Sequence, residues 1–409
     1  MINKAHAIVI GAGTIGAATA WQLSQQGLDN VLLIDRNTIG SGNTSKAASL
    51  MTLVRTKEAM IPLIQETYRN IDVIEAITGM STGKMKVGTI HVAASDESIA
   101  NLKKITDIAN RHTIKNRALN ISELEEKLPW IDSSKVLKSV FMEDDSFVDA
   151  YSLATVYATA AKKNGVHILQ NTEVLEILSE NNKIKGIKTD KGVIESPIVV
   201  DAAGAWANQL SLQVNVPIPM APVRSIYWIL EKNDKLFAPN QPMVVMPDAM
   251  AYTRPDGDSL LFGLREENSP HFHPNELNPK PNLDFLGDAE DEWEIILDYG
   301  KKFSSMFSEF KNIGIKNCIT GISTYTPDGY YTFGESKEIE GFYIAAGCAG
   351  AGVAGSGGIG RMIAEMVLDK ELFANKEPFR IDRFVDFDPM STTFRQSCAD
   401  ARSQKKDGG

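Results

Sequence analysis

Residues 11–16 read GAGTIG and stand between an apolar run at residues 5–10 and a helical pattern at residues 14–26. The apolar run is rich in β-branched side chains, as in a strand that is buried on both faces. Residues 31–34 form a second run of this kind, and Asp35 closes it, 19 residues after Gly16. This order predicts an α/β fold in which a glycine-rich turn joins a buried strand to a helix.

The spacing of the glycines indicates a dinucleotide site. Gly11 permits the tight turn, Gly13 lets a pyrophosphate approach the N–H groups at the helix N-terminus, and Gly16 lets the helix pack on the strand. Asp35 is placed to accept hydrogen bonds from ribose hydroxyls, and its charge disfavours a 2′-phosphate. The motif alone does not distinguish FAD from NAD, and a plain βαβ turn is the alternative.

Composition and charge argue against several other classes of protein. Of 409 residues, 43% are hydrophobic and 23% are charged, and the formal net charge is -10. We expect an acidic surface of this kind to disfavour nucleic acids and anionic lipids. The sequence contains no apolar run of the roughly 18 residues that a membrane span requires. Three cysteines do not form a disulfide framework, so a cytoplasmic protein with reduced thiols is expected.

The order of elements predicts two domains, each assembled from separate segments. The α/β pattern occurs near the start, in the middle and at the end of the chain, and two β-rich stretches interrupt it. The predicted nucleotide-binding domain comprises residues 1–82, 146–219 and 326–385. The predicted substrate domain, an α+β unit based on a β-sheet, comprises residues 83–145 and 220–325. Residues 386–409 are predicted to be a C-terminal tail with a disordered polar end.

Two local predictions concern segments near the dinucleotide motif and the end of the chain. Residues 43 to about 70 form a pattern typical of a long helical region, capped by Asn43, Thr44 or Ser45. A strand at residues 342–346 and a helix at residues 357–368 are predicted to flank a second glycine cluster.

Four further stretches share a pattern with one family of enzymes. They are residues 39–45 (IGSGNTS), 147–151 (FVDAY), 199–206 (VVDAAGAW) and a C-terminal pair, TPD at 326–328 and AGCAGAG at 346–352. Together they resemble the D-amino-acid oxidase and sarcosine oxidase family of FAD-dependent oxidoreductases. The first stretch is most similar to the flavin-bearing subunits of heteromeric sarcosine oxidases, and glycine oxidases are similar as well. The resemblance covers most of residues 5–370.

The resemblance implies a fold, a cofactor and a reaction. The fold is a Rossmann-type, glutathione-reductase-like FAD-binding domain built from three segments, beside the substrate domain. The reaction is oxidation of a small amine or amino acid, such as a secondary or N-methyl amino acid. A hydride passes from the α-carbon to flavin N5 and leaves an imine. The partners are then the amine and an electron acceptor, which is oxygen, a quinone or a partner protein.

The second glycine cluster also has a direct physical interpretation. Glycines at 347, 350 and 352 let the backbone come close to a flat ligand. The helix that follows would direct its N-terminus at that ligand and stabilise the negative charge of a reduced flavin. A flexible glycine loop is the alternative.

The cofactor-binding residues are predicted from the motifs and from the resemblance together. Two come from the resemblance alone: Val174 would place its backbone against the adenine, and Gly321 stands where monomeric sarcosine oxidases carry a flavin-linked cysteine. Since Gly321 cannot form that link, we expect non-covalent FAD. The full predicted set is Gly11, Gly13, Thr14, Ile15, Gly16, Asp35, Arg36, Ser41, Gly42, Asn43, Thr44, Ser45, Ala47, Ala48, Ser49, Val174, Ala203, Gly204, Trp206, Gly321, Gly347, Gly350, Ala351, Gly352, Val353 and Ala354.

An arginine usually clamps the carboxylate of an amino-acid substrate, because its planar fork matches that group. The family's basic residues for this task are replaced here by Thr52, Ser323 and Ala354. Arg55, three residues after Thr52, is the first candidate substitute, and a solvent-exposed arginine is the alternative. The family pattern therefore does not identify the basic residue that binds the substrate carboxylate in this chain.

Three further residues are candidates for the catalytic or substrate-binding site. Tyr252 and Arg254 alternate onto one face of a predicted strand that borders the substrate pocket in the family. Tyr325 precedes the TPD motif. Packing on the β-sheet surface is the alternative for each. His271 and His273 lie beside prolines without a further Cys/His cluster, so no metal site is expected.

Other functions stay open on sequence alone. The flavin could serve electron transfer in a complex, which implies a partner subunit, and a homo-oligomer is equally compatible with the sequence. The same fold can host oxidation of a 2-hydroxy acid or of glycerol phosphate. A nicotinamide dehydrogenase is disfavoured, because it has no use for the second glycine cluster. The absence of the lysines typical of fast oxygen users favours a dehydrogenase over an oxidase.

Overall fold

The computed structural model describes residues 2–277 and 289–404, and its first large sheet contains the strands predicted around the glycine motif. The spatial order of this sheet is Thr332–Glu335 (β19), Phe342–Ala346 (β20), Val199–Asp201 (β13), Ala7–Ile10 (β1), Val31–Ile34 (β2) and His167–Leu169 (β9). All neighbouring strands are parallel except β19, which runs antiparallel to β20. The four residues of β1 are buried, as expected of a strand inside a parallel sheet.

The second large sheet is mainly antiparallel. Its spatial order is Ile315–Tyr325 (β18), Ala221–Leu230 (β14), Ser259–Leu264 (β17), Ala251–Asp256 (β16), Met243–Met246 (β15), Thr89–Ala93 (β5), Lys138–Met142 (β7) and Asn116–Ala118 (β6). Only β15 and β5 pair in parallel within this sheet.

Two small sheets complete the β-structure of the described residues. One is an antiparallel meander of Val174–Glu180 (β10), Lys183–Thr189 (β11) and Gly192–Glu195 (β12). The other joins Leu50–Met51 (β3), Ser146–Phe147 (β8) and Met85–Lys86 (β4). Both contribute strands adjacent in sequence to the predicted cofactor residues.

The helices differ in length and in how they begin. Asp149 and Ser391 each accept a backbone N–H bond at the start of the helix that follows them. In the part of the chain that the structure describes, no helix has the length and apolar character needed to cross a bilayer. The helices are Thr14–Gln25 (α1), Ile61–Thr78 (α2), Asp96–Arg111 (α3), Ile121–Lys127 (α4), Ala150–Lys163 (α5), Ala207–Ser211 (α6), Ala289–Met306 (α7), Gly352–Val367 (α8) and Thr392–Ser403 (α9).

Helix α8 packs between α1 and α2 with unusually short backbone distances. A Cβ atom on Gly358 would lie 2.3 Å from the Cα atom of Leu63 in α2. A Cβ atom on Gly360 would lie 2.8 Å from the carbonyl carbon of Ala18 in α1. The absence of side chains at these two positions therefore sets how closely the three helices approach.

The fold class is confirmed, but the predicted helical region at residues 43 to about 70 is wrong over its first half. Only a 3₁₀ turn, Asn43–Lys46, is present there, and α2 begins at Ile61. Between them β3 pairs with β8, the Leu53 N–H donates to the buried carboxylate of Asp145 (2.8 Å), and a second 3₁₀ turn, Glu58–Met60, leads into α2. Tertiary partners thus replace the helical hydrogen bonds that the pattern predicted.

The C-terminal predictions also need correction. Helix α8 begins at Gly352, five residues before the predicted start at 357. The tail after residue 386 contains α9, whose side chains Arg395, Cys398, Ala399 and Arg402 are buried. Burial against β14 and β18 stabilises this helix despite its polar sequence. The predicted disorder of residues 405–409 lies outside the described residues.

The two large sheets draw their strands from different parts of the chain. The first uses segments within residues 7–34, 167–201 and 332–346, and the second uses segments within 89–142 and 221–325. The boundaries of the two domains remain a prediction, in which the first sheet belongs to the nucleotide-binding domain and the second sheet to the substrate domain.

We expect Gly358→Ala to destabilise the protein although alanine favours helices. The new methyl group would overlap the backbone of Leu63, and overpacking of this kind costs about 1–3 kcal/mol. Thermal unfolding should show a lower Tm. Gly300→Ala in α7 is the control, because a Cβ there would meet only a side-chain methyl of Ile296 at 3.3 Å. Equal Tm values for the two variants would contradict the close packing of α8 on α2.

A second prediction concerns Asp201, which is buried at the end of β13. Burial raises its pKa to about 7, although the Ala203 N–H donates to Oδ1 (3.0 Å). Within the described residues, Oδ2 has no hydrogen-bonding partner. Above pH 7 the folded protein therefore holds a buried, ionised carboxylate, which destabilises it. Near pH 4 the carboxyl group is protonated when folded, and that cost disappears.

Asp201→Asn should accordingly raise Tm most above pH 7, where the difference between a pKa of about 7 and the usual 3.8 corresponds to at most about 4 kcal/mol of unfolding free energy. The advantage should shrink as the pH falls from 7 towards 4. Melting curves between pH 5 and 8 measure this difference. Asp234→Asn at an exposed position is the control, and it should show no comparable trend. A stabilisation that grows on acidification would contradict the assignment.

Candidate active site

One cavity joins the glycine-rich turn to the second large sheet. Its walls include the starts of α1 and α8, the loop around residues 43–50, and parts of β14, β16, β17 and β18. The cavity therefore has a dinucleotide end, built by elements of the parallel sheet, and a substrate end, built by the mixed sheet. We use these two names below.

The N-terminus of α1 forms one side of the dinucleotide end. Gly13 is the N-cap residue and has no side chain to cap the helix. The Thr14 N–H donates to the Thr44 hydroxyl (3.2 Å), and residues 13–16 line the cavity. A Cβ on Gly13 would lie 3.1 Å from the Thr44 oxygen, so glycine keeps this approach open. Backbone N–H groups at a helix start suit a pyrophosphate.

Asp35 braces the turn that precedes α1. Its Oδ2 accepts the Ala12 N–H and its Oδ1 accepts the Asn37 N–H, both at 2.7 Å. The Thr172 N–H donates to the Asp35 carbonyl (3.0 Å), which brings the start of β10 at Val174 into this neighbourhood. The structure thus groups residues that the sequence assigned to the ribose and adenine, and their roles remain predictions.

Arg36 and Trp206 form a second pair beside Asp35. The guanidinium carbon of Arg36 lies 4.4 Å from the Trp206 ring centroid, a cation–π geometry. Burial lowers the pKa of Arg36, while the charges of Asp35 and Glu173 oppose that shift.

The N-terminus of α8 also lines the cavity, next to the start of α1, since a Cβ on Gly352 would lie 3.4 Å from the Cδ1 atom of Ile15. Ala351 is its N-cap residue and offers no polar side chain, and residues 350–354 line the cavity. Gly347 and Gly350 have φ angles of 60° and 65°, which glycine adopts without strain. Two helix N-termini therefore face one cavity. This arrangement fits FAD, whose pyrophosphate and flavin ring both favour such N–H groups.

Cys348 lies in the same glycine-rich loop and lines the cavity. Its Sγ is 3.2 Å from the Ser323 hydroxyl and 3.4 Å from the Thr324 hydroxyl. Burial opposes ionisation of the thiol, but these hydrogen bonds outweigh it and hold the pKa of Cys348 below its usual value. The contacts anchor the loop to β18.

The substrate end contains tyrosine hydroxyls and arginine side chains. Tyr252 and Tyr325 line it, and burial raises the pKa of both, to about 12 for Tyr252. Both hydroxyls are therefore protonated at neutral pH and available as hydrogen-bond donors. Arg265 and Arg402 line the same part of the cavity. This end is suited to an anionic group held close to the glycine-rich loop of residues 347–352, the flavin loop.

Many of the predicted cofactor residues meet at this cavity. Those that line it are Gly13, Thr14, Ile15, Gly16, Asn43, Thr44, Ala47, Ala48, Ser49, Gly204, Gly347, Gly350, Ala351, Gly352, Val353 and Ala354. Those that lie outside its lining are Gly11, Asp35, Arg36, Ser41, Gly42, Ser45, Val174, Ala203, Trp206 and Gly321.

Gly321 has a packing role that the sequence did not indicate. A Cβ on Gly321 would lie 2.5 Å from the Asn43 Oδ1 atom and 3.0 Å from the Lys46 Cβ atom. The glycine therefore lets the 3₁₀ turn Asn43–Lys46 rest directly on β18.

Three of the four candidate substrate residues reach the cavity, namely Arg55, Tyr252 and Tyr325. Arg55 is 3% exposed, so the alternative of a solvent-exposed arginine is wrong. Its Nη1 donates to the Thr52 hydroxyl, and its positive charge lies near Asp145. Burial raises the pKa of Asp145 to about 6.

Arg254 is the exception, and its predicted clamp role is not supported. Its Nε donates to the Ala48 carbonyl (2.7 Å), and its Nη1 donates to the Pro255 carbonyl (2.8 Å) and to Asp256 (3.1 Å). The guanidinium also lies over the Phe147 ring, 5.0 Å from its centroid. Arg254 thus stabilises the loop behind the cavity wall.

Sequence reasoning missed several residues of the substrate end. Arg265 follows β17 and carried no motif, and Ser225 and Tyr227 lie inside a strand. Arg402 belongs to a segment that was predicted to be a tail. Its apolar neighbours Cys398 and Ala399, spaced as in a helix, were the available signal. Among the described residues, no group of three or more His, Cys, Asp and Glu side chains could hold a metal.

Comparison with known proteins agrees with this geometry. The chain is 25% identical over 388 residues to human mitochondrial sarcosine dehydrogenase, covering 93% of this chain and 42% of that protein. It is 24% identical to the glycine oxidase of Bacillus subtilis, covering 92% and 97% of the two chains. The chain thus spans less than half the length of several curated relatives that it matches.

A solved structure matches along almost the whole fold. The L-proline dehydrogenase from P. horikoshii superposes with a TM-score of 0.82 at 26% identity, covering 94% of this chain and 98% of that chain. The sequence model of the DAO family, described as FAD dependent oxidoreductase, matches residues 6–366. The resemblance inferred from the motifs is confirmed, and the chain belongs to the DAO family of FAD-dependent oxidoreductases.

Proposed function

We propose that this protein oxidises a small amino acid, with secondary and N-methyl amino acids as the preferred class. The observation that carries the proposal is the single cavity in which two helix N-termini face a wall of tyrosines and arginines. FAD, when bound, supplies the hydride acceptor for the substrate's α-carbon, and the product is an imine.

The chain's own residues bind and orient the substrate in this proposal. Arginine side chains at the substrate end hold an anionic group, and the Tyr252 and Tyr325 hydroxyls donate hydrogen bonds. Burial of these groups excludes water and strengthens each interaction. Fixing one end of the substrate places its α-carbon at a defined distance from the glycine-rich loop.

The names of the relatives support the substrate class. Sarcosine, glycine and L-proline are small amino acids, two of them with a secondary amine, and each appears in the name of one matched enzyme. Each of the three carries a C–H bond on a carbon next to nitrogen, so the same type of hydride transfer is open to each. We carry over this shared class and not any single substrate.

The electron acceptor and the assembly are part of the proposal. We favour a dehydrogenase that passes electrons to a quinone or a partner protein, because the lysines typical of fast oxygen users are missing from the family pattern in this chain. The chain spans less than half the length of several matched relatives, and a partner subunit is proposed from the likeness of residues 39–45 to the heteromeric sarcosine oxidases. A homo-oligomer and a cytoplasmic location remain predictions.

We expect the purified protein to contain FAD that is not covalently attached. Absorption peaks near roughly 370 and 450 nm should move to the supernatant after acid precipitation. The reason is that Gly321 offers no thiol for the family's cysteine link. Colour that stays in the pellet would instead show a covalent bond elsewhere in the chain.

Anaerobic titration tests the reaction itself. Sarcosine, L-proline, N,N-dimethylglycine and glycine should be added to the flavoprotein, and at least one secondary or tertiary amino acid should bleach the band near 450 nm. Bleaching by a 2-hydroxy acid or glycerol phosphate alone would replace the proposal with the alternative chemistry on this fold. Bleaching by no substrate, but by a reduced partner protein, would favour an electron-transfer subunit.

A further inference from the structure

The last helix of the described chain, α9, forms part of the substrate end. It lies beyond residue 366, where the match to the family model stops. It packs against β14 and β18, and its side chains Cys398 and Ala399 are buried with Tyr325 in one apolar cluster. The helix is therefore integrated into the cavity wall.

Arg402, near the end of α9, is the charged residue that this helix brings to the cavity. It is 4% exposed, and it lines the substrate end. Its Nη1 donates to the Glu266 carboxylate (2.8 Å) and to the Ser269 hydroxyl. Both of these contacts use one nitrogen of a group with five N–H donors. Glu266 and Ser269 thus fix the guanidinium in position at the cavity wall.

The surroundings of Arg402 suit an anion. Arg265 also lines this end of the cavity, and its guanidinium carbon lies 5.7 Å from the Tyr252 ring centroid. The charges of Arg265 and Arg402 both act on the Tyr252 hydroxyl. The Glu266 carboxylate offsets one of these charges, but Arg224 also faces it (3.9 Å). The region beside the Tyr252 and Tyr325 hydroxyls therefore keeps an excess of positive charge, and desolvation strengthens its attraction for an anion.

This region is adjacent to the flavin loop. A Cβ on Gly350 would lie 2.2 Å from the Tyr325 hydroxyl oxygen, so that hydroxyl rests on the backbone of the loop. An anionic group held at Arg402 and Tyr325 would leave the adjoining carbon atoms of a small substrate facing the loop.

We propose that Arg402 binds the carboxylate of the substrate, so that α9 selects amines that carry a carboxylate over amines that do not. The inference rests on the proposed function, since it names the group by which that site recognises its substrate. Arg265, Tyr252 and Tyr325 complete the carboxylate site. The guanidinium fork binds carboxylates and phosphates alike, and we assign the carboxylate because it is the anionic group of the proposed amino-acid substrate.

Arg55 is the competing clamp. It lines the same cavity, but its charge is close to the buried Asp145. It also borders a second cavity that Lys57 and Asp328 line. Arg55 therefore stands at a wall between two cavities, whereas Arg402 has both tyrosine hydroxyls and Arg265 around it. A direct comparison of variants at the two positions separates them.

The test uses the FAD-loaded enzyme and carboxylates that cannot be oxidised. Acetate and benzoate should perturb the flavin absorption spectrum of the wild type, whereas benzamide should not. Arg402→Met should raise the Kd for benzoate by about 30- to 100-fold, the loss expected for a charge-assisted double hydrogen bond. Arg402→Lys should restore part of the affinity, because it keeps the charge without the fork.

Three controls separate binding from folding. Arg395→Met removes another buried arginine of α9, which contacts His271 (3.4 Å) and does not line the cavity, and it should leave the Kd unchanged. Arg402→Met combined with Glu266→Gln removes the buried carboxylate that Arg402→Met alone would leave with Arg224 (3.9 Å) as its ion-pair partner, and it should show the same loss of benzoate affinity. Tm and the FAD content of each variant show whether it is folded.

Steady-state kinetics supply a second readout. With the best amino acid, Arg402→Met should raise KM by at least about 30-fold while kcat falls less, and with the matching amide it should change KM little. A wild type that shows no spectral change with either carboxylate would overturn the proposal. So would an Arg402→Met enzyme with unchanged Kd, an affinity lost only in Arg55→Met, or a site that prefers inorganic phosphate.

The outcomes also distinguish this inference from the proposed function. If benzoate binds in an Arg402-dependent manner while no amino acid reduces the flavin, the carboxylate site stands and the amine oxidation fails. If amino acids reduce the flavin equally well in the wild type and in Arg402→Met, the proposed function stands and the role of Arg402 is wrong.

Discussion

Cofactor binding in this fold depends on two helix N-termini that face the same cavity. Neither helix is capped by a side chain of its own N-cap residue. Gly13 and Ala351 hold those N-cap positions, so no N-cap side chain occupies the backbone N–H groups at the starts of α1 and α8, although the Thr14 N–H donates to the Thr44 hydroxyl. The parallel sheet makes this possible, because β1 and β20 flank β13 and end at the same edge. A group that binds both helix starts therefore spans the central strands of the sheet.

Close packing of backbone on backbone keeps these helices aligned. The glycines of α8 allow it to contact α1 and α2 without intervening side chains, and the Asp35 carboxylate ties the turn before α1 to the end of β2. The buried Asp201, next to the same cavity, is an unfavourable feature of an otherwise apolar sheet. Stability and cofactor geometry thus depend on the same few strand ends.

The two ends of the cavity have different origins in the chain. The dinucleotide end comes from segments within the family match, and its chemistry follows from the family's shared cofactor. The substrate end combines strands of the mixed sheet with α9, which lies outside that match. Fold and cofactor therefore leave the substrate open, and the side chains of the substrate end lie outside the cofactor-binding motifs.

The sequence by itself determined the parts whose physics is local. The turn at residues 11–16 and the glycines before α8 need particular backbone angles and a close approach of the backbone to its ligand. These needs restrict the residue types, so both segments can be recognised as motifs. Only the tertiary structure decided which arginines reach the cavity. Arg254 donates to the Ala48 carbonyl, and Arg55 is buried in the non-helical segment that precedes α2. Arg402 is buried in α9, a helix that its polar sequence did not predict. Each outcome depends on contacts between residues far apart in the chain, which no local pattern encodes.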